Sequence, residues 1–193
     1  MPKNLNVFLL DNHDSFTYNL AAMLRSFGNV HLKISKPENA NIASLCKFDK
    51  IVFSPGPGLP IEFPLMSDIL DEYRKTKSFL GICLGHQMIA QYFGGKLCNL
   101  SEVNHGWVKS LKIIEAESLL FKDIPNNSNI GVYHSWYVDG DHLPDNLNVT
   151  AICENQLIMA LQHKNLDVNS VQFHPESFLT MHGRKILANW LKR

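Results

Sequence analysis

The alternation of short apolar runs with helix-period segments in the first half of the chain restricts it to one fold class. Residues 5–10 form an apolar run that ends in Asp11-Asn12, the pattern of a buried strand. From 15 to 27, Phe16, Leu20, Met23, Leu24 and Phe27 recur at helical spacing, with Asp14 or Ser15 able to cap and Gly28 to stop. Residues 30–34 and 50–53 read as further short strands, 61–75 as a weaker helix and 78–82 as another strand. A helix over 84–93 then ends at Gly94-Gly95. Repeated β-α-β order calls for a parallel sheet covered on both faces. The stretch 96–172 is richer in strands, with a hairpin turning near Asn155-Gln156, and a final helix over 180–192 docks Ile186, Leu187, Trp190 and Leu191. The expectation is an α/β protein of three layers, with a mostly parallel central sheet flanked by helices, in a single domain over 1–193.

Composition fits that expectation and removes several function classes. A chain of 193 residues buries roughly 70% of the surface its unfolded form exposes, so one core suffices. Lys plus Arg equals Asp plus Glu, 18 against 18, which supplies neither the charge for non-specific nucleic-acid binding nor a polybasic membrane segment. No apolar stretch approaches the length of about 18 residues that a spanning helix needs. Lys3 and the run Val7-Phe8-Leu9-Leu10, cut short by Asp11, are too little for a signal peptide. The cysteines at 46, 83, 98 and 153 form no C-x-x-C pair, so they are expected as thiols in a reducing cytoplasm.

Three motifs fall at predicted strand ends, where ligands gather in such sheets. Gly81-Ile82-Cys83-Leu84-Gly85 has the layout of a nucleophile elbow with cysteine in place of serine. The turn places the Cys83 sulfur at a helix N-terminus, where the dipole favours thiolate, and leaves the Leu84 N–H free for an oxyanion. A buried structural cysteine is the plainer reading of that turn, and it is the one adopted for Cys46, Cys98 and Cys153. Gln172-Phe173-His174-Pro175-Glu176 offers a base and a carboxylate two residues apart, on the same side of extended chain. Ser54-Pro55-Gly56-Pro57-Gly58 lacks a phosphate-loop ending, and its prolines delete N–H donors, so an oxyanion suits it better than a phosphate. No His-Glu-x-x-His motif or cysteine cluster marks a metal site. His86 reads as a packing residue.

The order of these motifs, extended to Gly81-Ile-Cys-Leu-Gly-His-Gln87 and Gln172-Phe-His-Pro-Glu-Ser177, resembles the class I (triad) glutamine amidotransferases, with a flavodoxin-like sheet, over essentially the whole chain. The opening Asp11-Asn-His-Asp-Ser-Phe-Thr-Tyr-Asn19 narrows the resemblance to the glutaminase subunits of anthranilate synthase and aminodeoxychorismate synthase. The resemblance implies a Cys83-His174-Glu176 triad that hydrolyses L-glutamine through a thioester. It also implies an oxyanion hole from the N–H groups of Gly56 and Leu84, and glutamine binding by Gly56, Pro57, Gly58, Gln87, Ser135 and Trp136. Ammonia would pass to a chorismate-binding synthase subunit, faced by Asp11–Tyr18 and the Gly56–Pro60 loop. No cofactor is expected in this chain, and any magnesium would belong to that partner.

Two departures stand out. In Val103-Asn104-His105-Gly106-Trp107 a tryptophan replaces the lysine common in relatives, and Trp136 replaces a leucine. Anthranilate synthesis is the first reading and aminodeoxychorismate synthesis the alternative, one subunit being able to serve both. A stand-alone cysteine hydrolase and a catalytically dead binding module are the competing classes. The first leaves the residue 11–19 string unexplained, and the second is at odds with an intact triad.

Overall fold

The computed structural model describes residues 4–192, except for the side chains of residues 102–104. Lys3 and the side chains of Val103 and Asn104 therefore lie outside the described residues. The elements are β1 (Leu5–Leu10), α1 (Thr17–Arg25), β2 (Val30–Ser35), β3 (Lys50–Phe53), α2 (Leu65–Tyr73), β4 (Ser78–Ile82) and α3 (Leu84–Tyr92). There follow β5 (Leu97–Ile113), β6 (Ser128–Val138), β7 (Leu147–Ile152), β8 (Ile158–His163), β9 (Val168–Val171) and α4 (Gly183–Leu191). The strands join in one sheet of order β2-β1-β3-β4-β9-β8-β7-β5-β6. From β2 to β9 neighbouring strands pair in parallel, and from β9 to β6 they pair antiparallel. The strand-rich second half thus builds an antiparallel extension onto a parallel centre.

Alternation along the parallel strands explains the three layers. Val7, Leu9, Val52, Leu80 and Ile82 point to one face, where Leu20, Ala21 and Leu24 of α1 and Ile186, Leu187 and Trp190 of α4 cover them. Phe8, Leu10, Ile51, Phe53 and Phe79 point to the other, against Met66, Ile69 and Leu70 of α2 and Met88 and Ile89 of α3. Successive side chains alternate faces in a strand, so a run buried on both sides must be apolar throughout.

Element ends differ from the sequence expectation where polar or cyclic residues intervene. Helix α1 starts two residues late, and Asp14 Oδ1 accepts from the Phe16 N–H at 2.7 Å. The 61–75 segment splits into a 3-10 turn over Pro60–Glu62 and then α2, capped by Pro64. The β7–β8 hairpin turns where expected, with Asn155 and Gln156 both left-handed at φ 61° and 59°, the twist that suits a tight hairpin.

The parallel register brings the motifs together. Leu10 aligns with Phe53, Phe53 with Gly81, and Ile82 with Val171. Asp11-Asn12, the Ser54–Gly58 loop, Cys83 and the Gln172–Glu176 segment therefore leave the same end of the sheet side by side.

Candidate active site

Cys83 joins β4 to α3 with φ 50° and ψ −99°, a backbone region that side chains rarely occupy. Its N–H donates to Val171 O at 2.9 Å, and its carbonyl accepts from the Gln87 N–H at 3.0 Å. Glycine is required on both sides. A Cβ on Gly81 would lie 2.5 Å from Gly85 O, and one on Gly85 would lie 2.7 Å from Phe53 O. The Leu84 N–H opens α3 and has no acceptor within its own helix. The thiol is thus fixed at a helix N-terminus, with an oriented donor beside it.

His174 and Glu176 form a buried pair. Nδ1 of the imidazole lies 2.7 Å from Glu176 Oε1, and the two side chains are 2% and 0% exposed. The carboxylate fixes Nδ1 as the protonated nitrogen and leaves Nε2 unpartnered in strict hydrogen-bond geometry. Burial pulls the imidazole down, but the Cys83 sulfur and the Glu176 carboxylate outweigh it and raise His174 to about 10. Phe16 and Tyr133 meet the ring edge-on at centroid distances of 5.3 and 4.8 Å. The His174 N–H donates to Gly131 O, and its carbonyl accepts from Thr180 Oγ1 at 2.6 Å. The base is held from every side.

One cavity of about 230 Å3 is lined by Gly56, Pro57, Gly58, Gln87, Ser135 and Trp136 together with Cys83. These are the six positions expected to hold substrate, so the fold brings all of them to the nucleophile. His174, Glu176 and Leu84 are not among the lining residues. Asn12 anchors the proline-glycine loop, its N–H donating to Ser54 Oγ at 2.8 Å and its Nδ2 to Ser54 O at 3.1 Å. The 11–18 segment is accordingly half internal. Asp11, Asn12 and Thr17 are buried, with Asp11 Oδ1 accepting from Thr17 Oγ1, while His13, Ser15 and Tyr18 are exposed.

The remaining residues behave by their surroundings. His86 is fully buried, its Nδ1 2.9 Å from Ser170 Oγ, and burial followed by the nearby His134 lowers it to about 3. Burial, with smaller pushes from His174 and Lys109, lowers His134 to about 4 against the opposing Trp136 carbonyl. Burial pushes the Cys153 thiol up to about 12. Trp107 is exposed, with Lys109 Nζ 5.2 Å from its ring. Among the described residues no three metal-binding side chains converge, and no helix is long and apolar enough to cross a membrane.

Tyr133 and His134 complete the cavity wall, although neither belongs to a motif that marks it in sequence. Their flank of Ser135-Trp136 was the one available signal. A thiol beside an imidazole that a buried carboxylate orients, at a helix N-terminus and in the wall of a small cavity, can attack a carbonyl carbon and carry the resulting thioester.

Known proteins resemble this chain along nearly its whole length. The family model described as glutamine amidotransferase class-I matches residues 8–193. A Haemophilus influenzae protein named "Putative anthranilate synthase component II" is 43% identical over 97% of this chain and 96% of its own. The Escherichia coli aminodeoxychorismate synthase component 2 is 38% identical over 97% of this chain and 100% of its own. The crystal structure of a glutamine amidotransferase from Thermotoga maritima aligns with a TM-score of 0.72 over 98% of this chain and 81% of that one, at 18% identity, a likeness of fold. With the matched family model running through every strand and helix of the sheet, the chain belongs to the class-I glutamine amidotransferases.

Proposed function

We propose that this chain is the glutaminase subunit of a chorismate-using synthase, with Cys83, His174 and Glu176 as its triad. Glutamine occupies the 230 Å3 cavity, between the Gly56–Gly58 loop, Gln87 and Ser135-Trp136. Cys83 attacks the side-chain amide carbon, and the Gly56 and Leu84 N–H groups receive the oxyanion. His174 gives its proton to the departing ammonia, Glu176 supporting the imidazolium. Water then attacks the thioester carbon and passes a proton to the now neutral His174, the carbon–sulfur electron pair returns to Cys83, and glutamate leaves. The observation that carries this reading is the cavity itself, in which a strained cysteine shares one wall system with all six expected binding positions.

Ammonia passes to a separate chorismate-binding chain, giving anthranilate. The aminodeoxychorismate reading stands beside it, because relatives bearing both names align along nearly the whole chain, and one subunit can serve both. The chemistry uses no cofactor here, any magnesium being the partner's, and the free thiols suit a cytoplasmic setting. The test is glutamate release by the purified chain, alone and with a chorismate-using synthase from the same genome plus chorismate. Stimulation with an aminated product supports the reading, and the product's identity names the pathway. Fast turnover by the lone chain, unaltered by any partner, would replace it with a stand-alone hydrolase.

A further inference from the structure

The backbone carbonyl of Trp136 sets the polarity of a buried chain of amides that ends on the nucleophile. A carbonyl oxygen only accepts, and this one faces His134 Nδ1 at 2.8 Å and Gln87 Nε2 at 2.9 Å. Gln87 must therefore present its amide nitrogen. That nitrogen also donates to Gln172 Oε1 at 3.2 Å. The other end of the Gln172 amide, Nε2, then faces Cys83 Sγ at 3.6 Å. Gln172 is 0% exposed, Gln87 3% and Cys83 6%, so water does not compete for these bonds. No rotation of either amide satisfies the chain in the opposite sense.

We propose that Gln172 is a further catalytic residue, whose N–H donates to the Cys83 sulfur, favours its thiolate form and aims it at the cavity. Gln87 and the Trp136 carbonyl lock that donor in place, so the wall of the cavity and the nucleophile are mechanically one unit. A hydrogen bond strengthens when its acceptor is charged. The bond is therefore strongest to the free thiolate and weak to the acylated sulfur. When water attacks the thioester, the carbon–sulfur electron pair returns to sulfur, and the Gln172 N–H meets the charge as it forms. The inference rests on the glutaminase reading above, but its first readout does not need glutamine.

The test is the rate of Cys83 alkylation by iodoacetamide across pH, followed by the mass of the Cys83 peptide so that Cys46 and Cys98 do not interfere. Gln172→Met keeps the length and removes the donor, and Gln172→Glu keeps the shape and offers only acceptors. Both should slow alkylation at neutral pH by about 10- to 100-fold, move the profile to higher pH, and lower glutaminase kcat more than they raise KM. Gln172→Glu should be the more severe. Profiles coincident with wild type in folded variants would overturn the proposal. Should either variant fail to fold, Gln87→Met decides, since it frees the amide without touching sulfur: a smaller shift in the same direction supports the lock, and no shift overturns it. Cys83→Ala separates the two levels. Glutaminase activity surviving in that variant sinks Cys83 as the nucleophile, and no glutamate release by wild type with its partner sinks the glutaminase reading, whereas an unmoved alkylation profile with an active wild type and a dead Cys83→Ala sinks only the role of Gln172.

Discussion

Cys83 carries the chemistry and also the strain. At φ 50° and ψ −99° its Cβ costs energy that glycine would not, on the order of 1–3 kcal/mol, against about 0.5–1 kcal/mol of extra chain entropy for glycine. Cys83→Gly should therefore melt higher than Cys83→Ala, by about 1 kcal/mol of stability, although both lose the thiol and the activity. Equal melting of the two would mean that the elbow stores nothing. The same logic of environment applies to Glu176. Glu176→Gln keeps an acceptor near His174 Nδ1 but removes the charge that supports the imidazolium, and glutaminase kcat should fall by about 100- to 10,000-fold with the fold intact. An unchanged kcat would assign the carboxylate to packing alone. Residues such as Cys83, His174 and Glu176 are legible in sequence because an elbow and a His-x-Glu pair are local patterns. His134, Gln172 and Asn12 are not, because each acts through groups that only the sheet register brings near: the Trp136 carbonyl, the Cys83 sulfur and the Ser54 loop.

At the scale of elements, the segment that carries His174 and Glu176 is pinned by the start of α4. A Cβ on Gly183 would lie 1.7 Å from Pro175 O and 2.7 Å from its carbonyl carbon, so no side-chain rotation relieves the clash. Gly183→Ala must push the helix or the Pro175 peptide, and overpacking of this kind costs about 1–3 kcal/mol or more. Both stability and kcat should fall together in this variant, since Pro175 stands between base and carboxylate. Loss of stability with full activity would show that the helix, not the segment, gives way. Sequence alone reveals no such contact, because Gly183 has no left-handed φ that would mark it and Pro175 lies eight residues away along the chain. The strands β1, β3 and β4 were legible because burial on both faces forces the apolar stretches Val7–Leu10, Ile51–Phe53 and Phe79–Ile82, with polar residues only at or near their first positions. Helix ends were not. The expected start at 180 moved to 183 because Ser177 and Thr180 spend their groups on turns, Thr180 Oγ1 bonding back to His174 O. The parallel order of the first half implied the α/β class, while the antiparallel partners of β5–β8 depend on pairings between distant segments that no local period encodes.

Four buried histidines, His86, His134, His163 and His174, give the whole molecule a two-sided dependence on pH, with burial lowering His163 as it does the first two. His86 and His134 are held neutral in the folded chain, lowered to about 3 and about 4 chiefly by burial. Unfolded histidine titrates near 6.5, so from about 6.5 down towards 4 the unfolded chain gains protons that the folded chain refuses. Their stabilisation is present above about 6.5 and is lost as pH falls, each adding a slope of up to about 1.4 kcal/mol per pH unit. His174 has the opposite sign. Raised to about 10, it keeps its proton in the folded state, so its contribution is complete below about 6.5 and disappears as pH rises through about 10. Melting temperature should therefore peak near neutrality and decline on both limbs. Calorimetry from pH 5 to 10 reads each limb separately, above the range where most carboxylates titrate. His86→Asn should lower the melting temperature overall yet flatten the limb between pH 6.5 and 5, because an amide has no proton to take up. Glu176→Gln should flatten the alkaline limb and leave the acid limb alone, since it removes one of the two groups that raise His174. Limbs that keep their slopes in both variants would place the pH dependence elsewhere in the molecule and detach it from the residues around the cavity.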